Sequence, residues 1–350
     1  MTYKIKGILV LILSILLLGG CGSTAMTYAQ KEMARQIDRL CIERNFNGAI
    51  LVANQGRIIL SKGYGLANSK DETPNSPDTV FRIGSLTKQF TAAAILLLEE
   101  RGALKVDDPL SRYIPDYPNG DRITLHNLLT HTSGIPEYIP LVNLADDHPY
   151  TPTELIDLFR NEPLSFNSGE KFTYSNSNYI LLGYIIEQVS GMAYEDFLEE
   201  NIFKPLGMND TGYDHNDPSP KKAVGYDNVQ EARESSHINM AIPYAAGGLE
   251  SAVGDLYKWV EALDGTALLS EESLDKMFTP YLNDYAYGWI LNHYSKTEMS
   301  HSGKINGFGA NIWRDTGRDN VVIILTNKAL TNPVVLNDKI VPILKTEGEI

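Results

Sequence analysis

Only two cysteines, Cys21 and Cys41, occur in the 350 residues. One disulfide at most is available, and none if Cys21 is consumed by other chemistry, so the fold must be held by its apolar core. Metal-ligand spacings are missing too. There is no His-Glu-x-x-His or Cys-x-x-Cys, the seven histidines are scattered, and the one acidic cluster, Asp146-Asp147-His148, has the composition of a solvated loop. Neither a metal nor any other cofactor is expected. The chain has no basic run, and its formal charge is −14. It therefore lacks the clustered Lys and Arg that a phosphate backbone requires, and nucleic acid is not an expected partner. Internal repeats and low-complexity tracts are absent from the sequence.

Long apolar runs are confined to the N-terminus. Gly7 to Gly20 carries no charge and follows Lys4 and Lys6. This run is short for a membrane span and has the layout of a secretory signal. It ends Leu18-Gly19-Gly20-Cys21, which resembles a bacterial lipobox, in which the cysteine is lipidated and becomes the first mature residue. An ordinary signal peptide and an uncleaved anchor are the alternatives. The expected organisation is a signal over 1–20, a lipid-anchored tether over 21–28 from Cys21, and one domain over 29–350. Such a protein would sit on the extracytoplasmic face of a bacterial membrane, most simply as a monomer.

The chain as a whole is 43% hydrophobic and 21% charged, a globular balance. Apolar spacing predicts a helix over 29–44, a hairpin from 48–53 and 57–60, and an extended run over 79–83. The middle is predicted to be mostly helical, over 87–102, 124–130, 153–160, 178–189, 194–202 and 251–263, with surface loops over 209–236. Strands are expected over 287–292, 298–301, 309–313 and 320–326, and a last helix over 333–345. The expected fold class is α/β of the α+β type. One central antiparallel sheet is built from both chain ends (29–84 and 286–350), with the terminal helices on one face. A large, mainly helical region (85–285) covers the other face, and the site lies in the cleft between.

Three short motifs carry chemistry. Ser-x-x-Lys places a hydroxyl and an amine on one helical face, one turn apart. Burial and the positive helix end lower the lysine pKa, so that it can take a proton. The pattern occurs at Ser85/Lys88, Ser168/Lys171, Ser219/Lys222 and Ser273/Lys276. Only Ser85 stands at a strand–Gly–Ser–helix junction, followed by the core-quality run Leu86 to Leu98; a helix-capping serine is its simplest alternative. Tyr-x-Asn also occurs four times, at Tyr117, Tyr174, Tyr226 and Tyr281, and Tyr174-Ser175-Asn176 alone directly precedes a core helix. Its tyrosine can relay a proton and its amide can hold Lys88 and a substrate carbonyl. His301-Ser302-Gly303 ends a predicted strand and can line a cleft in which strand backbone pairs with substrate. The N–H groups of Ser85 and Lys304 can then form an oxyanion hole.

Together, Ser85-Leu86-Thr87-Lys88, Tyr174-Ser175-Asn176 and His301-Ser302-Gly303 resemble the motifs of the serine β-lactamase-like family, the group of class C β-lactamases, DD-peptidases, related esterases and D-aminopeptidases. The flanks Phe81–Gly84, Leu128–Gly134, Pro205–Met208 and Gly247–Leu249 resemble it as well. The resemblance implies Ser85 as acylated nucleophile, Lys88 and Tyr174 as a shared proton-transfer system in which either is the base, and Asn176 as a contact to substrate and Lys88. His301, Ser302 and Gly303 would contact substrate, and His131 would be structural, holding the loop 132–138. Class C β-lactamases have Lys where His301 stands; His there is similar to certain DD-carboxypeptidases and D-aminopeptidases. The implied activity is a penicillin-binding or DD-peptidase-like hydrolase acting on D-alanyl amides or esters, its substrate a small molecule or a peptidoglycan-like wall polymer. The alternatives are a β-lactamase or esterase on the same scaffold, or a non-catalytic sensor.

Overall fold

The computed structural model describes residues 25–346. The expected signal, and Cys21 with it, lie outside the described residues. Helix α1 (Tyr28–Glu43) starts from a capping box in which Thr27 accepts the Gln30 N–H and the Gln30 side chain accepts the Thr27 N–H. Its residues Met33, Ile37 and Cys41 are buried at four-residue spacing, which keeps one face toward the protein. Strands β1 (Gly48–Asn54) and β2 (Arg57–Tyr64) form the expected hairpin. Strand β3 (Phe81–Arg82) leads through a tight turn, Gly84–Leu86, into α2 (Thr87–Glu100). The elements that matter further on are α3 (Asn176–Ser190), β4 (Leu249–Ser251) and α4 (Val253–Ala262). The C-terminal part is β5 (Ile290–Leu291), β6 (Glu298–Ile305), β7 (Phe308–Asp315), β8 (Asn320–Thr326) and α5 (Pro333–Lys345).

The main sheet has six strands in the order β5-β6-β7-β8-β1-β2, antiparallel throughout. The two ends of the chain meet at its centre, where Gly48–Ala53 pairs with Val321–Thr326. Both central strands are buried along their whole length. Alternation divides their side chains between two cores. Ile50, Val52, Val322 and Ile324 pack with Ile37 of α1 and with Leu336, Ile340 and Leu344 of α5. Ala49, Leu51, Val321, Ile323 and Leu325 join the larger core that contains α2 and α4. Each such Leu, Ile or Val contributes about 1.5–3 kcal/mol when fully buried. An all-apolar strand is stable only with both faces covered, and this arrangement covers them. It is the predicted antiparallel sheet with terminal helices on one face.

Helix α2 is buried from Thr87 to Leu98, as a helix that is apolar nearly all round must be. The Phe90 ring lies 4.4 Å from that of Trp259, whose indole N–H donates to Gln89 Oε1 at 2.8 Å. The serine that precedes α2 is thus mounted on a helix buried along nearly its whole length.

Several predicted elements change shape. The strand expected over 287–292 shrinks to Ile290–Leu291, because Ala286 N–H bonds Trp289 C=O across a turn at Gly288. The run expected over 79–83 is strand only at Phe81–Arg82, where it pairs with β4, an element with no clear signal in the sequence. The helix expected over 194–202 becomes π-helical at Glu199–Phe203. The loops of 209–236 carry three short strands, Gly212–Tyr213, Tyr226–Asn228 and Arg233–Glu234. Most consequential is β6, which runs on through Gly303 to Ile305, leaving a turn of Asn306 and Gly307 where a longer loop is expected.

Candidate active site

Three segments distant in sequence converge on the N-terminal end of α2. Ser85 sits on the Gly84–Leu86 turn, half-buried, and its hydroxyl caps no helix end. Its Oγ lies 3.2 Å from Lys88 Nζ. Lys88 is fully buried and also donates to Asn176 Oδ1 at 2.7 Å and to Ala246 C=O at 2.8 Å. It has no carboxylate partner among the described residues. Burial disfavours its charged form and lowers its pKa from 10.5 to about 7, with the charge of Glu137 acting the other way. A neutral amine has two N–H groups and one lone pair. Asn176 Oδ1 and Ala246 C=O can only accept, so in that state the lone pair is directed at the Ser85 hydroxyl.

The other Ser-x-x-Lys matches lack this environment. Lys222 is paired with Glu250 at 2.9 Å and Asp214 at 3.4 Å, and Lys276 with Glu99 at 3.0 Å and Glu272 at 3.2 Å. In both, a carboxylate contact holds the ammonium charged and the pKa rises. Lys171 is exposed.

Tyr174 and Asn176 enter from the start of α3. Lys88 Nζ stands 4.8 Å from the centre of the Tyr174 ring. Among the described residues the buried Tyr174 hydroxyl has no hydrogen-bond partner of good geometry, although the Ser85 hydroxyl is near enough to act on it. Burial pushes its pKa up, only partly opposed by the Ser85 hydroxyl, so the phenol keeps its proton. Asn176 is oriented by Glu137. One carboxylate oxygen, Oε2, accepts from the Asn176 backbone N–H at 2.9 Å and from Nδ2 at 2.8 Å. With Nδ2 committed, Oδ1 faces Lys88.

His131 is structural, but what it holds is the Tyr174–Ser175 turn rather than the loop 132–138. Its Nδ1 accepts from Ser175 N–H and Asn178 Nδ2, both at 3.2 Å, its C=O accepts the Thr173 N–H at 3.0 Å, and its ring lies 4.2 Å from that of Tyr174. The loop itself is fastened by Ser133 Oγ to Asn178 Oδ1 and by the Ser175 and Ser177 hydroxyls to Pro136 C=O.

Strand β6 closes the third side. A Cβ at Gly303 would lie 1.9 Å from Ile83 O and 3.0 Å from Ser85 N, so no other residue lets the strand come this close to Ser85. A Cβ at Gly84 would lie 2.9 Å from Lys304 N, which brings that N–H beside the Ser85 turn. The Ser85 N–H belongs to a first helical turn and meets no acceptor among the described residues. The backbone nitrogens of Ser85 and Lys304 are thus brought together at this turn.

The other two residues of the third motif are placed differently from expectation. Ser302 turns its hydroxyl to the opposite face of the sheet, beside Asn311 and Trp313 and toward α5, because successive strand residues alternate. His301 shares the face of Gly303 but is only 3% exposed. Its Nδ1 donates to Ser302 C=O at 2.8 Å and its Nε2 accepts from the Tyr285 hydroxyl at 3.1 Å. Burial and the Lys88 charge lower its pKa to about 3, so it is a neutral support behind Tyr174 and not a cation facing the cleft.

Beside Ser85 the cleft opens into a cavity of about 220 Å³ bounded by Tyr138, Ile139, Leu144, Ile238 and Ile305, with Ser85, Asn176, Lys304 and Asn306 as its polar lining. Glu137, Tyr285 and the Ala246 carbonyl complete the site without a local signature in the sequence. Glu137 lies three residues beyond the recognisable Leu128–Gly134 segment, and the Ala246 group is backbone, which any residue type supplies.

Known proteins resemble this chain along most of its length. Residues 32–343 match the family model described as Beta-lactamase. A curated relative, the "Putative penicillin-binding protein PbpX" of Bacillus subtilis, is 35% identical over 319 residues, covering 89% of this chain and 79% of that protein. The crystal structure of a penicillin binding protein from Bacillus halodurans superposes with a TM-score of 0.80 at 28% identity, over 87% of this chain and 98% of that one. D-amino acid amidase from Ochrobactrum anthropi SV3 superposes with a TM-score of 0.79 at 25% identity, over 90% and 98%. A buried amine against a helix-start serine, on a scaffold shared along nearly the whole chain, leaves one conclusion: this chain belongs to the beta-lactamase family and is a serine hydrolase.

Proposed function

We propose that the protein forms an acyl-enzyme on Ser85 and acts on D-alanyl amides or esters of the cell envelope, as a penicillin-binding, DD-peptidase-like enzyme. The observation that carries this reading is Lys88, fully buried, with acceptor-only groups on two sides, the Ser85 hydroxyl on the third, and a pKa near neutrality.

Lys88 takes the Ser85 proton as Oγ attacks the substrate carbonyl carbon. The negative charge passes to the carbonyl oxygen, stabilised by the N–H groups of Ser85 and Lys304. As the intermediate collapses, the bond to the leaving nitrogen or oxygen breaks. That atom receives a proton through the Tyr174 phenol, which Lys88 replenishes. Water then enters by the same route in reverse and frees Ser85. In this scheme Lys88 is the base and Tyr174 the proton donor, because burial lowers the affinity of the amine for a proton and raises that of the phenolate.

Relatives named penicillin-binding proteins support the acyl donor class, and the likeness to a D-amino acid amidase supports a substrate with a D-centre next to the scissile bond. The apolar side chains on the cavity walls can take an apolar group beside that bond, which keeps an ester substrate as a second reading. The Cys21 lipobox supports an extracytoplasmic, membrane-tethered enzyme; among the described residues no helix is long and apolar enough to cross a membrane. Covalent labelling by a fluorescent penicillin tests the site. Labelling of the wild type and none of Ser85→Ala is expected, and equal labelling of both would remove Ser85 as nucleophile. Turnover of D-alanyl peptides against nitrophenyl esters then separates the two substrate readings.

A further inference from the structure

We propose that Glu137 is a positioning residue of this site, aiming the Asn176 carbonyl oxygen at Lys88 and setting, by its charge, the pH window in which Lys88 can act as a base. The inference rests on the reading of Lys88 as the base.

The geometry is a relay of three groups. Glu137 Oε2 accepts one N–H from each nitrogen of Asn176, backbone and side chain. Its other oxygen, Oε1, accepts the Ile139 N–H at 3.2 Å, which holds the carboxylate in place from its own segment. The amide of Asn176 therefore has one usable orientation. Rotated by half a turn, it would bring Nδ2 against the Lys88 amine and Oδ1 against a carboxylate, a clash of like groups at both ends. Oriented as it is, Oδ1 takes one Lys88 N–H at 2.7 Å and leaves the lone pair for Ser85.

Charge enters separately. The groups facing Lys88 are Ser85 from its own helix start, Tyr174, Asn176 and Tyr179 from α3 and the turn before it, Glu137, and the His131 and His301 side chains nearby. Both histidines are held neutral by burial and by Lys88 itself, and both tyrosines keep their protons. Among the described residues, Glu137 is the carboxylate whose charge acts on Lys88, and it favours the ammonium. A carboxylate acting through a single amide thus limits how far burial depresses the base. A purely structural role is the alternative: Glu137 also caps α3, since it accepts the first N–H of that helix and Ser175 makes no side-chain cap.

The test uses the full chain and measures the rate of acylation by a fluorescent penicillin, and of hydrolysis of a nitrophenyl ester, from pH 5 to 9. Wild type, Glu137→Gln and Glu137→Ala are compared, with Ser85→Ala as the blank. Gln keeps an acceptor for Asn176 and removes the charge. Its acid limb is expected to move to lower pH by about 1 unit, the size typical of losing one nearby opposite charge. Ala is expected to show the same displacement and a pH-independent rate lower by about tenfold or more, because Asn176 is no longer aimed. Coincident profiles for wild type and Gln, whatever the change in melting temperature, reduce Glu137 to a helix cap and overturn the proposal. A wild type silent toward both probes at every pH removes the reading of the site and this inference with it; an active wild type with an unmoved Gln profile removes the inference alone.

Discussion

Replacing Lys88 with methionine should abolish acylation and, unusually for a fully buried residue, leave the protein about as stable as before at acid pH. An ammonium with a pKa of 10.5 in the unfolded chain and about 7 in the fold binds its proton more weakly when folded. Each tenfold loss of proton affinity corresponds to ~1.36 kcal/mol, so the folded state forgoes about 5 kcal/mol at any pH below 7, where both states are charged. Between pH 7 and 10.5 the unfolded chain binds more protons than the native one, so the contribution of Lys88 to stability rises with pH over that window. From pH 6 to pH 9 the gain amounts to about 2–3 kcal/mol by the same relation. Methionine has no proton to bind and fills a similar volume. It strands the Asn176 and Ala246 oxygens, each at about 1–3 kcal/mol, which offsets most of what the lost charge relieves. The assay is urea unfolding of both proteins at pH 6 and pH 9, reported as the difference between them so that other titrating groups cancel. The wild type should gain about 2–3 kcal/mol on the variant between the two conditions. A constant difference would show that Lys88 is not depressed in the fold, and the assignment of the base would fall with it.

Two further substitutions separate contact with the substrate from support of the site. Gly303→Ala places a methyl 1.9 Å from Ile83 O; β6 must then move away from Ser85, and labelling should fall by two orders of magnitude or more while the circular dichroism of the folded protein persists. Retained labelling would mean that the strand and the serine are not coupled. Tyr285→Phe removes the donor to His301 Nε2 and should cost about 1–3 kcal/mol in unfolding, with acylation reduced less than tenfold. A large loss of acylation at unchanged stability would instead put His301 in contact with the substrate.

How much of this could be read from the chain itself depends on how local the signal is. The hairpin at Gly48–Tyr64, the helix Pro333–Lys345 and the helix after Ser85 were legible because apolar spacing and turn residues are properties of neighbours. Ser85 stood out from three other Ser-x-x-Lys matches on the same ground, a strand–Gly–Ser junction before a core helix. The environment that distinguishes Lys88 from Lys222 and Lys276 was not local. It depends on which carboxylates the fold brings to each amine.

The sequence by itself determined the longer helices and strands, the family and the three motifs, since these are written in residue types at short spacing. Tertiary structure decided which atoms of those motifs meet. Strand alternation sent Ser302 to the far side of the sheet and sealed His301 behind Tyr174, although the two are consecutive in one motif. Chain folding also brought Glu137 and the Ala246 carbonyl to Lys88 from 49 and 158 residues away. Proton affinity, amide orientation and access to a cleft are properties of the space around a group. They are settled only when the chain closes on itself and water is excluded from the amine beside Ser85.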